Sequence, residues 1–159
     1  MNVRDFDTFY RLTKDACFRA LVVATGSYEA GDLLAEAYAR AWQRWEELAD
    51  HPAPAAWVIR TALNLHTDWW RRRNRTIRLE WHQRHLPPPD LPVDPALLEA
   101  LFALPKRQRE VVALRVLMDL DTLETSRILG VATGTVTAHL HRALTKLRAT
   151  LAVSEGSYE

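Results

Sequence analysis

The stretch "DTLETSRILGVATGTVTAHLHRALTKL", Asp121–Leu147, reads as two helices joined by a tight turn. Asp121 stands at an N-cap position, and Glu124 three residues on can reach back to it, a capping-box arrangement. Gly130 supplies the left-handed residue that stops the first helix. Beyond it, Val136, Leu140, Ala143, Leu147 and Leu151 repeat on one face of a long second helix. The opposite face is expected to expose Thr135, Ala138, His139, Arg142 and Lys146. This is the layout of a helix-turn-helix, in which the start of the second helix enters the major groove of DNA. Helical hairpins with no nucleic-acid role share the outline, so the motif needs support from the rest of the chain.

Working toward the N-terminus, "LPPPDLPVDP" is the clearest boundary. Five prolines in Leu86–Pro95, without an aromatic or a long apolar run, make a semi-extended tether. After it Leu97, Leu98, Leu101 and Phe102 mark a short helix, and Pro105 opens another at its first position. Before it, Phe6, Tyr10, Thr13, Cys17, Leu21 and Ala24 recur at helical spacing up to a stop at Gly26. Ser27 is placed to cap a second helix carrying Leu34, Tyr38, Ala41, Trp45 and Leu48 as an unbroken stripe. "DHPAPA" ends that stripe, and a third helix starts near Ala55. Strand-like alternation is absent. The expected fold class is all-α: two small helical domains, 1–75 and 96–152, with a proline-rich linker at 76–95 and a tail at 153–159.

The composition is that of a globular protein, with 48% hydrophobic and 26% charged residues in 159. No apolar run approaches the ~20 residues of a membrane span, and acids sit where a signal peptide needs bases. The one cysteine, Cys17, excludes an internal disulfide, fits a reducing cytosol and reads as a small core residue. A net charge of +1 conceals strong segregation. Residues 56–86 hold seven basic and two acidic side chains, and 105–151 hold eight and four. Residues 1–55 hold six basic and nine acidic side chains, so two basic blocks lie among acidic ones. Local basic patches of this kind are the footprint of a polyanion binder.

Nothing in the chain suggests catalysis, a metal site or a cofactor. The six histidines form no His/Cys/Glu cluster at metal spacing, and His139 and His141 lie on different helix faces. There is no glycine-rich phosphate loop and no Ser-His-Asp layout.

In "NLHTDWWRRRNR", Asn64–Arg75, two tryptophans abut a block of arginines. On a helix through Ala55–Arg73, Val58, Ala62, Leu65 and Trp69 form one apolar line, with Ile59, Leu63 and Trp70 beside it. Arg60, Asn64, Thr67 and Arg71 form the opposite line, with Asp68 and Arg72 adjoining. Trp69 is therefore expected in the core. The arginines then extend from an anchored helix to meet phosphates at fixed register. An interfacial membrane helix would lack partners, whereas this stripe has two other striped helices to pack on.

Taken together, "AGDLLAEAYARAWQRW", "AWVIRTALNLHTDWWRRRNR" and "LPKRQREVVALRVLMDLDTLETSRILGVATGTVTAHLHRALTKLR" resemble regions 2 and 4 of the extracytoplasmic-function (ECF) sigma factors of bacterial RNA polymerase, group 4 of the sigma-70 family. The tryptophan–arginine stretch resembles an actinobacterial branch carrying THTxWWRR. The matches cover most of the chain in family order. The resemblance implies a cytoplasmic subunit that gives core polymerase its promoter specificity and helps open DNA. It implies that Asp32, Glu36, Arg40 and Gln43 meet the clamp of the largest subunit, with a further contact to the flap. Asn64, Thr67, Arg71, Arg72 and Arg73 would meet the downstream promoter box, and the loop Leu48–Ala55 would capture an unstacked base. Thr135, Thr137, Ala138, His139, Arg142 and Lys146 would meet the upstream box, and an anti-sigma factor is a further implied partner.

The departures are specific. Thr137 and His139 stand where the family has bases, Ala132 where it has a capping serine, Thr125 where it has an apolar residue, and Ala35 where it has glutamine. These imply a differently tuned reader of the upstream box, with Thr133 left to cap the second helix. Two other readings fit the residues alone: a stand-alone helix-turn-helix regulator, and a sigma-like protein-binding module that no longer reads DNA.

Overall fold

The computed structural model describes residues 4–27, 29–76 and 91–156, with backbone only for 74–76. Most of the expected linker, 77–90, lies outside the described residues. All regular structure among the described residues is helical, and the chain divides into two compact units, Met1–Pro87 and Pro88–Glu159.

In the first unit α1 spans Phe6–Thr25, α2 Ala30–Gln43, α3 Trp45–Leu48 and α4 Pro54–Thr76. Asp5 caps α1, its carboxylate accepting from the Thr8 amide at 3.1 Å and the Thr8 hydroxyl at 2.8 Å. Gly26 ends the helix at φ 62°, donating to the Val22 carbonyl at 2.7 Å. Cys17, Leu21 and Val23 of α1 and Val58, Ile59 and Ala62 of α4 are wholly buried. Each such valine, leucine or isoleucine contributes roughly 1.5–3 kcal/mol through burial.

Three local expectations change. Ser27 is not the N-cap of α2, because the helix starts at Ala30. Its hydroxyl instead accepts from the Glu29 amide at 3.2 Å and donates to the Glu29 carboxylate at 2.6 Å, holding the approach to the helix. The stripe from Leu34 to Leu48 is broken at Arg44, which leaves helical geometry at φ −114°. Phe9, rather than Phe6 or Tyr10, is the buried aromatic of α1, stacked on Trp45 at 4.9 Å.

In the second unit α5 spans Pro95–Phe102, α6 Lys106–Val112, α7 Thr122–Leu129 and α8 Thr133–Glu155. Asp94 caps α5 with Pro95 at the first position. Pro105 is the residue before α6 rather than its first. After α6 the chain widens into a π-helical stretch, Ala113–Leu117, where the Ala113 carbonyl accepts from the Met118 amide at 3.1 Å. Asp119 follows at φ 53° and turns the chain into α7. Leu98, Leu101, Val111, Leu114, Val136 and Leu147 form the core of this unit.

Candidate protein and nucleic-acid interfaces

The polar face of α2 is built as its spacing requires. Asp32, Glu36, Arg40 and Gln43 are exposed, while Leu34, Ala37, Tyr38 and Ala41 are buried. Arg40 donates to Glu36 at 3.1 Å, a solvent-exposed pair one helical turn apart. Such a pair contributes about 0.3–0.5 kcal/mol and fixes orientation more than stability.

Helix α4 presents Arg60, Asn64, Thr67 and Arg71 on one exposed line. Arg71, Arg72 and Arg73 fan around the helix at roughly 100° steps. Arg72 faces α2, in an open groove of about 340 Å³ with Glu29, Asp32, Glu36, Asp68 and Trp69. Arg73 lies over the Trp69 ring at 4.7 Å and reaches Glu29 at 3.9 Å. Trp69 is therefore half-buried against the groove and an arginine, not sealed in the core as expected. Trp70, also half-buried, donates its indole N–H to His66 Nε2.

A second cleft of about 430 Å³ opens between the end of α2 and α4. Gln43, Trp57, Thr61, Asn64, Leu65 and Asp68 line it, and the Arg44 guanidinium stands 5.9 Å from the Trp57 ring centre. Arg40 and Asp68 border both clefts. The structure thus brings Arg40 and Gln43, which the resemblance assigns to a protein-facing surface, beside Asn64, which it assigns to the downstream DNA. Trp57 and Thr61 are absent from the sequence-predicted set, and Asp68 entered it only as a neighbour of the polar line, because no spacing along one helix reveals what the neighbouring helix leaves open. The Leu48–Ala55 segment begins with buried Leu48 and ends in the first turn of α4. Between them His51 Nδ1 accepts from the Ala53 amide at 2.9 Å, and 50–52 are exposed.

In the second unit Asp121 caps α7, accepting from the Glu124 amide at 2.7 Å. Glu124 pairs with Arg127 at 3.3 Å, so only one half of the expected capping box forms. Gly130 turns at φ 66°. At the start of α8, Ala132 occupies the cap position with no side-chain bond to offer, and Thr133 does not replace it, being the first helical residue. The Ala132 carbonyl accepts from the Thr135 and Val136 amides at 3.0 and 3.1 Å.

Thr135, Arg142 and Lys146 are exposed on one line of α8. His139 departs from the expected open face: it is half-buried, and its Nδ1 is enclosed without a partner. Ala138 is half-buried as well. Thr137 is exposed but lies roughly 160° around the helix from Thr135, and its hydroxyl donates to the Thr133 carbonyl at 3.2 Å.

The basic block of this unit is also thinner at the surface than its sequence suggests. Arg109 is buried, its guanidinium 5.8 Å from the Phe102 ring centre and its Nε without a partner. Burial lowers its pKa against the opposing pull of Glu110. Arg115 donates to the Leu120 carbonyl. These two cations brace α6 and the π-helical stretch.

Comparison with known proteins places both units in one family. Residues 6–76 match the family profile for Sigma-70 region 2, and residues 95–147 that for Sigma-70, region 4. The RNA polymerase sigma-E factor of Streptomyces coelicolor is 36% identical over 156 residues, covering 92% of this chain and 85% of the relative. The ECF RNA polymerase sigma factor SigL of Mycobacterium tuberculosis is 33% identical over 141 residues, covering 83% of this chain and 80% of the relative. Among solved structures, the sigma factor RpoE in complex with the anti-sigma factor NepR from Bartonella quintana gives a TM-score of 0.78 at 22% identity, covering 95% of this chain and 99% of that one. That last likeness is one of fold alone.

Proposed function

The chain belongs to the extracytoplasmic-function group of the sigma-70 family of RNA polymerase sigma factors, and from that premise we propose which surfaces perform each step of promoter recognition and opening. Asp32, Glu36, Arg40 and Gln43 on α2 dock the first unit on the clamp of the largest polymerase subunit. Asn64, Thr67 and Arg71 on α4 meet the downstream promoter box, with Arg72 and Arg73 at its margin. Thr135, His139, Arg142 and Lys146 on α8 meet the upstream box, with Thr137 and Ala138 flanking it, and the second unit also contacts the polymerase flap.

The observation that carries this reading is the cleft joining Gln43 at the end of α2 to Asn64 on α4. Extruding a base from the duplex costs a few kcal/mol and needs a polar pocket with a stacking surface to offset it. Trp57 supplies the aromatic surface, and Asn64, Gln43 and Thr61 supply donors and acceptors. Arg60 and Arg71, exposed on the same helix, hold the adjoining backbone.

The protein works in the cytoplasm, with polymerase and promoter DNA as partners and no catalysis of its own. A relative in fold was solved with an anti-sigma factor, which supports a partner of that kind here. The test is run-off transcription from genomic fragments by core polymerase with and without the chain. Discrete transcripts that require the chain are expected. Specific binding to a palindromic site by the chain alone, with no transcription, would instead make it a stand-alone regulator.

A further inference from the structure

The groove between α2 and α4 has a chemistry that DNA does not fit. Four carboxylates border it, Glu29, Asp32, Glu36 and Asp68, against two guanidiniums, Arg40 and Arg72. Its floor is apolar, made by Leu33, Leu65 and Trp69, all half-buried. Glu29 is already engaged by Ser27 and Arg73, and Glu36 by Arg40. Asp32 and Asp68 are exposed, and neither has an ion pair among the described residues. They stand on different helices and border the same groove. A phosphate brought here would meet an excess of like charge. A long cationic side chain would lay its methylenes on the leucines and tryptophan and its charge between the free carboxylates.

We propose that this groove receives an arginine or lysine of core RNA polymerase, with Asp68 of α4 completing the site begun by Asp32 of α2. The proposal rests on the polymerase reading of the α2 face and extends it onto the helix otherwise given to DNA. Asp68 then divides α4: the groove side binds protein, and the Arg60–Asn64–Thr67–Arg71 line binds nucleic acid.

The experiment titrates fluorescently labelled full-length chain with core polymerase, comparing wild type, Asp32→Asn, Asp68→Asn and the double variant, each checked for helicity. Each single variant should weaken core affinity by about threefold to tenfold, between the values of an exposed and a desolvated ion pair. The double variant should lose less than the product of the two, because both carboxylates hold one cation. A loss with Asp32→Asn and none with Asp68→Asn overturns the shared groove while leaving the α2 reading intact. No loss with either overturns both. If Asp68→Asn instead tightens holoenzyme binding to a downstream fork-junction DNA at unchanged core affinity, the groove belongs to the DNA surface and the proposal fails.

Discussion

Arg71 and Arg72 are neighbours in sequence, yet Arg72 borders the acidic groove against α2 while Arg71 continues the exposed line of Arg60, Asn64 and Thr67. Adjacent residues of a helix point roughly 100° apart, so a run of arginines cannot serve one surface. Replacing Arg71 by alanine is therefore expected to weaken holoenzyme binding to downstream DNA of every sequence and reduce the salt slope by about 1. The same change at Arg72 should leave that slope nearer wild type. Filter binding across a salt series measures both, and equal slopes for the two variants would contradict the division.

Thr125 is wholly buried in α7, and its hydroxyl has no hydrogen-bond partner. An unsatisfied buried hydroxyl costs about 1–3 kcal/mol, and valine keeps nearly the same shape without it. Thr125→Val should stabilise the second unit by roughly 1 kcal/mol or more. Urea unfolding followed by helical circular dichroism tests this, and a destabilised variant would mean that the hydroxyl is satisfied in solution.

The N-terminus of α8 offers an independent gain. Ala132 sits at the cap position in extended geometry, φ −66° and ψ 151°, which serine adopts without strain. Ala132→Ser should add about 1 kcal/mol by accepting a first-turn amide. Its effect should add to that of Thr125→Val unless the two sites are coupled, which the double variant reports.

What the sequence made legible and what it hid follow from the range of the forces involved. Helix stripes, the glycine stops at Gly26 and Gly130, and the aspartate cap at Asp121 depend on residues within one or two turns. They could be read directly. The break at Arg44 carries no proline or glycine, and the π-helical stretch at Ala113–Leu117 has no local signature, so both were invisible. The polar line of α4 follows from its period, whereas the two clefts depend on how α2 lies across it. For the same reason Trp69 read as core: one helix shows its apolar side, but not how much of it the next helix covers.

Cys17 and Tyr38 give a pH signature. Burial pushes the Cys17 thiol from 9.0 up to about 11, opposed by a hydrogen bond from Tyr38. Burial also raises the Tyr38 phenol, whose oxygen lies 2.8 Å from the Thr13 hydroxyl. Below pH 9 the thiol is protonated in both folded and unfolded chains, and its full contribution is present. Between the unfolded value of 9.0 and the folded value of about 11 only the unfolded chain releases the proton, so stability falls as pH rises. The slope approaches about 1.4 kcal/mol per pH unit from this group. Unfolding midpoints at a series of pH values should show a steeper alkaline fall for wild type than for Cys17→Ala, and parallel curves would refute the assignment.

Capture and opening should separate by mutation, because their residues belong to different units. Arg142 and Lys146 lie exposed on α8, and on the proposed assignment to the upstream box their loss should weaken the first encounter with duplex promoter. A residue there that reads a base should also relax upstream specificity at a cost of about 1–3 kcal/mol. Asn64 and Arg71 lie exposed on α4, and on the proposed assignment to the downstream box their contacts should matter most for opening. Supplying a template with a pre-melted downstream bubble removes the cost of unpairing without altering the upstream duplex. Transcription by Arg142→Ala holoenzyme should therefore remain impaired on the bubble template. The opening defect of Asn64→Ala and Arg71→Ala should be largely rescued, apart from the residual affinity loss of a missing phosphate contact. Equal rescue of both sets, or rescue of neither, would show that the two helices do not divide the task in this way.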